Sequence, residues 1–191
     1  MLPDSTSDDG ALVLAARGGD REAFGTLVSR YAPTVLSVTS RMLSSTNEAE
    51  DAAQDTFVSA FKALSGFQAG SRFSTWLYRI AVNKCQDVLR ARRPTVEFDE
   101  DTNTSTDLPR RSGDTPHSLL ERTELAVELE RGIRALPTLY RESFILRHVE
   151  GLDYDEMSAI LGVNRDTLKM RVYKARTLLC RSLAHLVETS R

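Results

Sequence analysis

The sequence predicts an all-α protein made of two small helical domains joined by a flexible acidic linker. Three observations lead there. Apolar residues recur at spacings of three and four along most of the 191 residues, which is the period of an amphipathic helix. Glycine and proline, 10 and 6 in number, gather at a few breaks instead of punctuating short strands. Residues 94 to 117 lose the pattern: Thr, Asp, Ser and Pro dominate, and so few large apolar side chains cannot offset the entropy of ordering the segment. The resulting division is a disordered N-terminus over 1–10, a helical domain over 11–93, a linker over 94–124 and a second domain over 125–187.

Taken in order, a first helix covers Ala11 to Ala16. After Gly18-Gly19, Asp20 caps a second helix through Phe24, Leu27, Val28 and Tyr31, and Pro33 is expected to interrupt it before apolar positions resume from Val35 to Leu43. Ser45-Thr46-Asn47-Glu48 opens a third, with Ala53, Phe57, Ala60, Phe61 and Leu64 on one stripe. Gly66 to Gly70 is a break. Ser74 is placed to cap a fourth helix, which runs to about Arg92 and is ended by Pro94. Periodicity returns at Leu119 and continues to about Val187.

Composition narrows the function classes. An apolar share of 41% and a charged share of 27% suit a globular chain, and no run approaches the roughly 18 apolar residues of a membrane span. Met1 to Gly10 is polar and acidic, so neither a signal peptide nor an anchor is expected there, and a cytoplasmic location is. Cys85 and Cys180 lie far apart in helical patterns with no zinc spacing, and read as two reduced, helix-packing thiols. His117, His148 and His185 are scattered, without a Ser, Cys or carboxylate constellation, and no Gly-rich phosphate loop is present. No catalysis, no cofactor and no metal site are expected.

The formal net charge of −2 conceals a segregated pattern. Residues 72–93 hold six Lys or Arg against Asp87, and residues 165–181 hold six against Asp166, while 94–124 hold eight acids and three arginines. Two basic patches flank an acidic connector, and the local field is what attracts a phosphate backbone.

The strongest motif lies near the C-terminus. Asp153 is a good N-cap with Glu156 three residues on, Met157, Ile160 and Leu161 face inward, and Gly162 supplies a left-handed turn that Val163 plugs. Asn164 caps the next helix, in which Leu168, Val172, Ala175 and Leu179 share one face. Arg165, Lys169, Met170, Tyr173, Lys174 and Arg176 remain on the other. This is a helix-turn-helix whose second helix suits a major groove; a helical hairpin with a merely solvated basic face is the bland alternative.

Two further patterns stand in the N-terminal half. Glu48-Ala-Glu-Asp51-Ala-Ala-Gln54-Asp55 is an acidic surface on a helix with an apolar opposite face, either a complement to the helix dipole or a dock for a basic partner. Arg72, Trp76, Arg79 and Asn83 are spaced four, three and four, beside the stripe of Leu77, Ile80 and Ala81. Interleaved cations and an aromatic ring suit a single-stranded nucleic acid, with Arg90, Arg92 and Arg93 adding to the field, although Trp76 alone also fits an ordinary core.

Asp51-Ala-Ala-Gln54-Asp55-Thr-Phe57, Ser74-Thr-Trp-Leu-Tyr-Arg-Ile-Ala-Val-Asn83 and Thr167-Leu-Lys-Met-Arg-Val-Tyr-Lys-Ala-Arg176, in this order across a polar linker, resemble a bacterial extracytoplasmic-function RNA polymerase sigma factor of the minimal two-domain kind. The resemblance covers roughly residues 11–93 and 125–187. It implies that Glu48, Asp51, Gln54 and Asp55 contact core polymerase at the β′ clamp coiled coil, with the β flap a second polymerase contact. It implies that Phe67, Arg72, Trp76, Arg79, Asn83 and Lys84 open and read the promoter −10 element, with Asn83 beginning a loop that holds a flipped base. Arg165, Thr167, Lys169, Met170, Arg171, Tyr173, Lys174 and Arg176 correspond to the −35 reader. The linker corresponds to a segment threading near the polymerase active-site and RNA-exit channels, and an anti-sigma factor is the implied inhibitory partner. Asp166, where the family often has Gly, and Met170, where it commonly has a small polar residue, depart from the pattern. A stand-alone helix-turn-helix regulator with a ligand-sensing or dimerising N-terminal domain is the competing function.

Overall fold

The computed structural model describes the backbone of residues 6–67, 72–92 and 117–189. The expected linker residues 94–116, together with Arg93, lie outside the described residues. Eight α-helices are present among the described residues: α1 (Thr6–Arg17), α2 (Arg21–Met42), α3 (Thr46–Ala63), α4 (Phe73–Ala91), α5 (His117–Ala135), α6 (Thr138–Phe144), α7 (Tyr154–Leu161) and α8 (Arg165–Thr189). The all-helical, two-domain expectation holds.

In the N-terminal domain, α1 starts earlier than its apolar pattern suggests. Asp9 is buried and accepts hydrogen bonds from Arg30 and the Tyr31 hydroxyl of α2, which ties the polar first turn down. The Asp20 carboxylate caps α2 by accepting from the Glu22 and Ala23 amides at 2.9 and 3.1 Å. The expected interruption at Pro33 does not occur: α2 runs through it to Met42. Pro33 lies on the exposed side. The buried positions Leu27, Tyr31, Val35, Val38 and Met42 continue across it, so tertiary packing outweighs the lost hydrogen bond. Ser45 caps α3, whose buried face is made of small residues: Ala49, Ala52, Ala53, Thr56 and Ala60. These let α3 approach α2 and α4 closely. Arg72, not Ser74, occupies the N-cap position of α4, and no side chain caps that end.

The C-terminal domain begins with α5 at His117, so residues 117–124 are helical where linker was expected. Gly132 on α5 marks a close approach: a Cβ there would stand 3.0 Å from Leu179 Cδ2 of α8, which would have to shift by a few tenths of an ångström. After α6 the chain widens into a π-turn over Ile145–Val149, where the Glu150 amide reaches back five residues to the Ile145 carbonyl. That turn buries both Ile145 and Leu146 beneath Met157, Ile160, Leu168, Val172, Ala175 and Leu179.

The two domains are in contact. One apolar cluster runs from Val38, Met42, Tyr78, Val82 and Cys85 into Ile133, Leu136, Ile145 and Leu146. Arg141 is seated at the join, donating to the Met42 carbonyl at 2.7 Å and to the Leu136 carbonyl at 2.9 and 3.2 Å.

Candidate nucleic-acid interface

The helix-turn-helix of α7 and α8 is built as its sequence requires. The Asp153 carboxylate accepts from the Asp155 and Glu156 amides, both at 2.8 Å, and the Glu156 carboxylate accepts from the Asp153 amide at 3.0 Å. This closes a capping box. Gly162 ends α7 at φ +66°, a left-handed conformation that disfavours any side chain. Asn164 Oδ1 then accepts from the Thr167 amide at 2.9 Å and starts α8. Leu168, Val172, Ala175 and Leu179 are buried. Both ends of the turn are thus held locally, and α8 projects one complete face outward.

That face carries Arg165, Thr167, Lys169, Met170, Tyr173, Lys174 and Arg176, all exposed. Met170 and Tyr173 are 57% and 70% accessible, a high value for apolar bodies with no role in the core. The cations have local partners: Arg165 pairs with Asp155 at 3.2 Å, Lys169 with Asp166 at 3.0 Å, and Lys174 lies 5.8 Å from the Tyr140 ring centre. Exposed pairs of this kind contribute about 0.2–1 kcal/mol each and exchange readily for phosphate. Arg171 is the exception. Its side chain is 18% exposed and turned inward, 3.4 Å from the carboxylate of Glu142, itself 2% exposed. Expected among the DNA contacts, it here offsets the charge of a buried carboxylate.

In the N-terminal domain, Phe67, Phe73 and Trp76 form a three-ring cluster with centroid separations of 5.2, 5.7 and 6.0 Å. Phe67 and Phe73 are buried, while Trp76 is half-exposed. Phe67, expected to touch DNA, therefore lies beneath the surface and props the tryptophan from below. Arg79 and Asn83 are exposed on the same side of α4, with Lys84 half-buried beside them. Arg72 is ion-paired to Glu156 of α7. Asn83 sits in the interior of an unbroken helix ending at Ala91, so no loop begins there. The buried run Tyr78, Ala81, Val82 and Cys85 carries the helix through that position.

The acidic face of α3 presents Asp51, Gln54 and Asp55, all exposed. Glu48 is engaged by Arg92, whose Nε donates to it at 3.0 Å. Val58, and Phe61 at 49% accessibility, extend the exposed surface of α3 toward its C-terminus, with Phe61 edge-on to Phe24 at 5.0 Å. Sequence reading placed Phe61 in the core stripe; the spacing 51, 54, 55, 58 held the signal for Val58.

A polar seam between the domains carries no motif and was not foreseen. Gln86 of α4 donates to Glu142 of α6 at 2.8 Å, and the Tyr78 hydroxyl donates to Glu150 at 3.0 Å. Burial pushes the Glu142 and Glu150 carboxyls above the ordinary range, against the opposing hydrogen bonds and the charges of Arg171 and Arg41. Burial, then the Glu150 charge, holds the Tyr78 phenol well above its usual value. Cys85 is buried and its thiol pushed up to about 12 by burial, whereas Cys180 is exposed and is not the packing thiol expected.

Fold and faces together define a two-domain, all-helical DNA-binding protein. A family model for sigma-70 region 2 matches residues 27–95, and one for sigma-70 region 4 matches residues 126–179. The RNA polymerase sigma-H factor of Pseudomonas aeruginosa is 32% identical over 189 residues, covering 94% of this chain and 95% of that protein. The ECF RNA polymerase sigma-E factor of Escherichia coli K12 is 35% identical over 184 residues, covering 94% and 96%. A solved structure of CnrH in complex with the cytosolic domain of CnrY superposes with a TM-score of 0.68 at 27% identity, covering 96% of this chain and 99% of that one. The chain belongs to the sigma-70 family, among the extracytoplasmic-function sigma factors. It is an alternative sigma factor that binds core RNA polymerase and directs it to promoter DNA. The region 2 match absorbs the N-terminal half, so a ligand-sensing regulator is set aside. No helix among the described residues is long and apolar enough to cross a membrane.

Proposed function

We propose that this sigma factor divides its work among three surfaces. The exposed face of α3, with Asp51, Gln54 and Asp55 flanked by Glu48 and continued by Val58 and Phe61, docks on the clamp coiled coil of β′, and the C-terminal domain meets the β flap. Arg72, Trp76, Arg79, Asn83 and Lys84 on α4 open and read the −10 element, with Phe67 supporting Trp76. Arg165, Thr167, Lys169, Met170, Tyr173, Lys174 and Arg176 on α8 read the −35 element. The observation that carries this reading is the outward face of α8: seven exposed candidate side chains on a helix whose two neighbouring turns are capped.

The protein performs no chemistry of its own and acts in the cytoplasm. CnrH, its structural relative, was solved bound to the cytosolic domain of another protein. A proteinaceous inhibitor of the anti-sigma kind is the corresponding partner here. Run-off transcription from a genomic promoter library, with core polymerase alone and with this protein added, tests the whole reading. Discrete transcripts that need the protein support it. A transcript pattern identical to that of core alone refutes it.

A further inference from the structure

The face of α8 proposed to meet DNA carries an acid in its first turn. Asp166 is that residue, and its side chain is 91% exposed. The start of the helix does not depend on it, since Asn164 Oδ1 already accepts from the Thr167 amide at 2.9 Å. A carboxylate in this place repels the phosphate backbone. It weakens binding to every duplex alike unless a base edge supplies it with a donor. Lys169 stands one turn on, with its side chain 54% exposed and Nζ donating to Asp166 Oδ1 at 3.0 Å. The two side chains form a unit, a cation and a carboxylate side by side on the part of a recognition helix that meets base edges.

The hydrogen-bonding capacity of this unit is selective. An ammonium has three donor protons and a carboxylate about four acceptor positions, so their mutual bond leaves two donors beside a carboxylate with room to accept. The major-groove edges of the base pairs sort against that pattern. G·C presents, in order, the N7 and O6 acceptors of guanine and the N4 amine of cytosine. A·T and T·A place the adenine amine between two acceptors, so nowhere do two acceptors adjoin there. C·G carries the groups of G·C in reverse, and the direction of α8 from Asp166 to Lys169 fixes which end of the pair meets the cation. O6 and N4 of a paired G·C are themselves hydrogen-bonded at about 2.9 Å. The 3.0 Å between Nζ and Oδ1 therefore lets both contacts form without breaking the ion pair.

We infer that Asp166 and Lys169 together read one G·C pair of the −35 element. Lys169 donates to guanine O6 and N7, and Asp166 accepts from the N4 amine of the paired cytosine. The inference rests on the assignment of α8 to the −35 element and names the base pair that this turn selects. Asp166 is then a specificity-determining residue: it adds little to affinity and refuses pairs that offer its carboxylate no donor.

The test uses the full chain with core polymerase on promoters whose −10 element is fixed and whose −35 element is randomised. Bound promoters should show one position at which G·C is preferred about tenfold or more over the other pairs. Asp166→Ala should relax that position alone, to about threefold, while binding to random duplex rises. Lys169→Ala should relax the same position. A second probe alters the base instead of the protein. N4-methylcytosine at that position still pairs with guanine but replaces the amine proton that faces the groove. It should weaken binding of the unsubstituted protein about tenfold and of Asp166→Ala less than about twofold. A G·C preference left in place by Asp166→Ala, or equal sensitivity of both proteins to the methylated base, overturns the inference while α8 still reads the −35 element through other residues. If randomising the −35 element costs the unsubstituted holoenzyme nothing, the assignment of α8 fails and the inference falls with it.

Discussion

The two segments proposed to meet DNA, residues 72–93 around α4 and 165–181 in α8, each hold six Lys or Arg against one acid but are supported quite differently. On α8 the outward side chains rest on a framework defined by local hydrogen bonds, and its early cations are already matched to acids, Arg165 to Asp155 and Lys169 to Asp166. On α4 the half-exposed ring of Trp76 is backed by two buried rings, and the helix begins without a side-chain cap. The first arrangement presents a rigid pattern of donors and acceptors, which is what reading an intact groove requires. The second presents a stacking platform, which is what an unpaired base requires. On the proposed assignment, similar charge density would serve duplex readout in one half and strand capture in the other.

The comparison is most severely tested at the base of α8. Leu168→Ala removes a fully buried side chain from the seat of the helix, and should cost about 2–5 kcal/mol of C-terminal-domain stability, read as a lowered midpoint in urea unfolding. The α4 face should still bind a single-stranded −10 oligonucleotide. Loss of that binding too would mean that the halves are not separable readers.

Arg171→Ala distinguishes a structural cation from a DNA-contacting one. Removing it leaves Glu142 with Gln86 alone, at a cost of about 1–3 kcal/mol. The sign of its pH dependence follows from the carboxylate. Glu142 is already pushed above the ordinary range by burial, and Arg171 opposes that push. The variant's deficit should be full near neutral pH, where the carboxylate is charged, and shrink as pH falls and Glu142 takes up a proton. A deficit unchanged by pH, with an altered salt dependence of −35 binding, would return Arg171 to the DNA face.

Trp76→Ala and Lys169→Ala form a matched pair. The first should lose about 1–3 kcal/mol on a single-stranded −10 oligonucleotide and nothing on a −35 duplex. The second should lose about 1–3 kcal/mol on the duplex, with relaxed selectivity at one position. Fluorescence anisotropy on both probes with each variant shows whether the losses cross over. If either variant weakens both probes equally, the division of labour between the helices is wrong.

What the sequence made legible follows the range of the forces involved. The capping box at Asp153, the left-handed Gly162 and the Asn164 cap are set by neighbours within four residues, and the apolar face of α8 follows from the helical period; each lies where its spacing put it. The unbroken α2 across Pro33, the inward turn of Arg171 and the helical surroundings of Asn83 depend on partners far along the chain. A proline's local cost is visible in sequence; the stripe from Leu27 to Met42 that outweighs it is visible only once α3 and α4 are packed against it. Glu142, Glu150, Tyr78 and Gln86 belong to no motif, because what unites them is a meeting of two domains. Phe67 went astray for a related reason: spacing tells which residues share a helix face, but Phe67 precedes α4 and folds beneath it.

The smallest expected effect bears on the recognition code itself. Met170 is 57% accessible on α8, one turn before Lys174 and adjacent in sequence to Lys169, with no core contact to explain it. A thioether side chain offers no strong hydrogen bond, so at a groove edge its favourable contact is with apolar surface, and the thymine methyl is the apolar feature a base pair presents there. Removing that contact should cost about 1 kcal/mol, on the order of one buried methylene, and should do so only at the position where thymine is chosen. Binding-site selection with Met170→Ala should therefore flatten one thymine column of the −35 preference and leave the columns set by Lys169 intact. Unchanged preferences at every position would show that Met170 meets sugar and phosphate, or nothing. Duplex specificity would then rest on the polar residues of α8 alone, and the contrast with the aromatic platform of α4 would become sharper still.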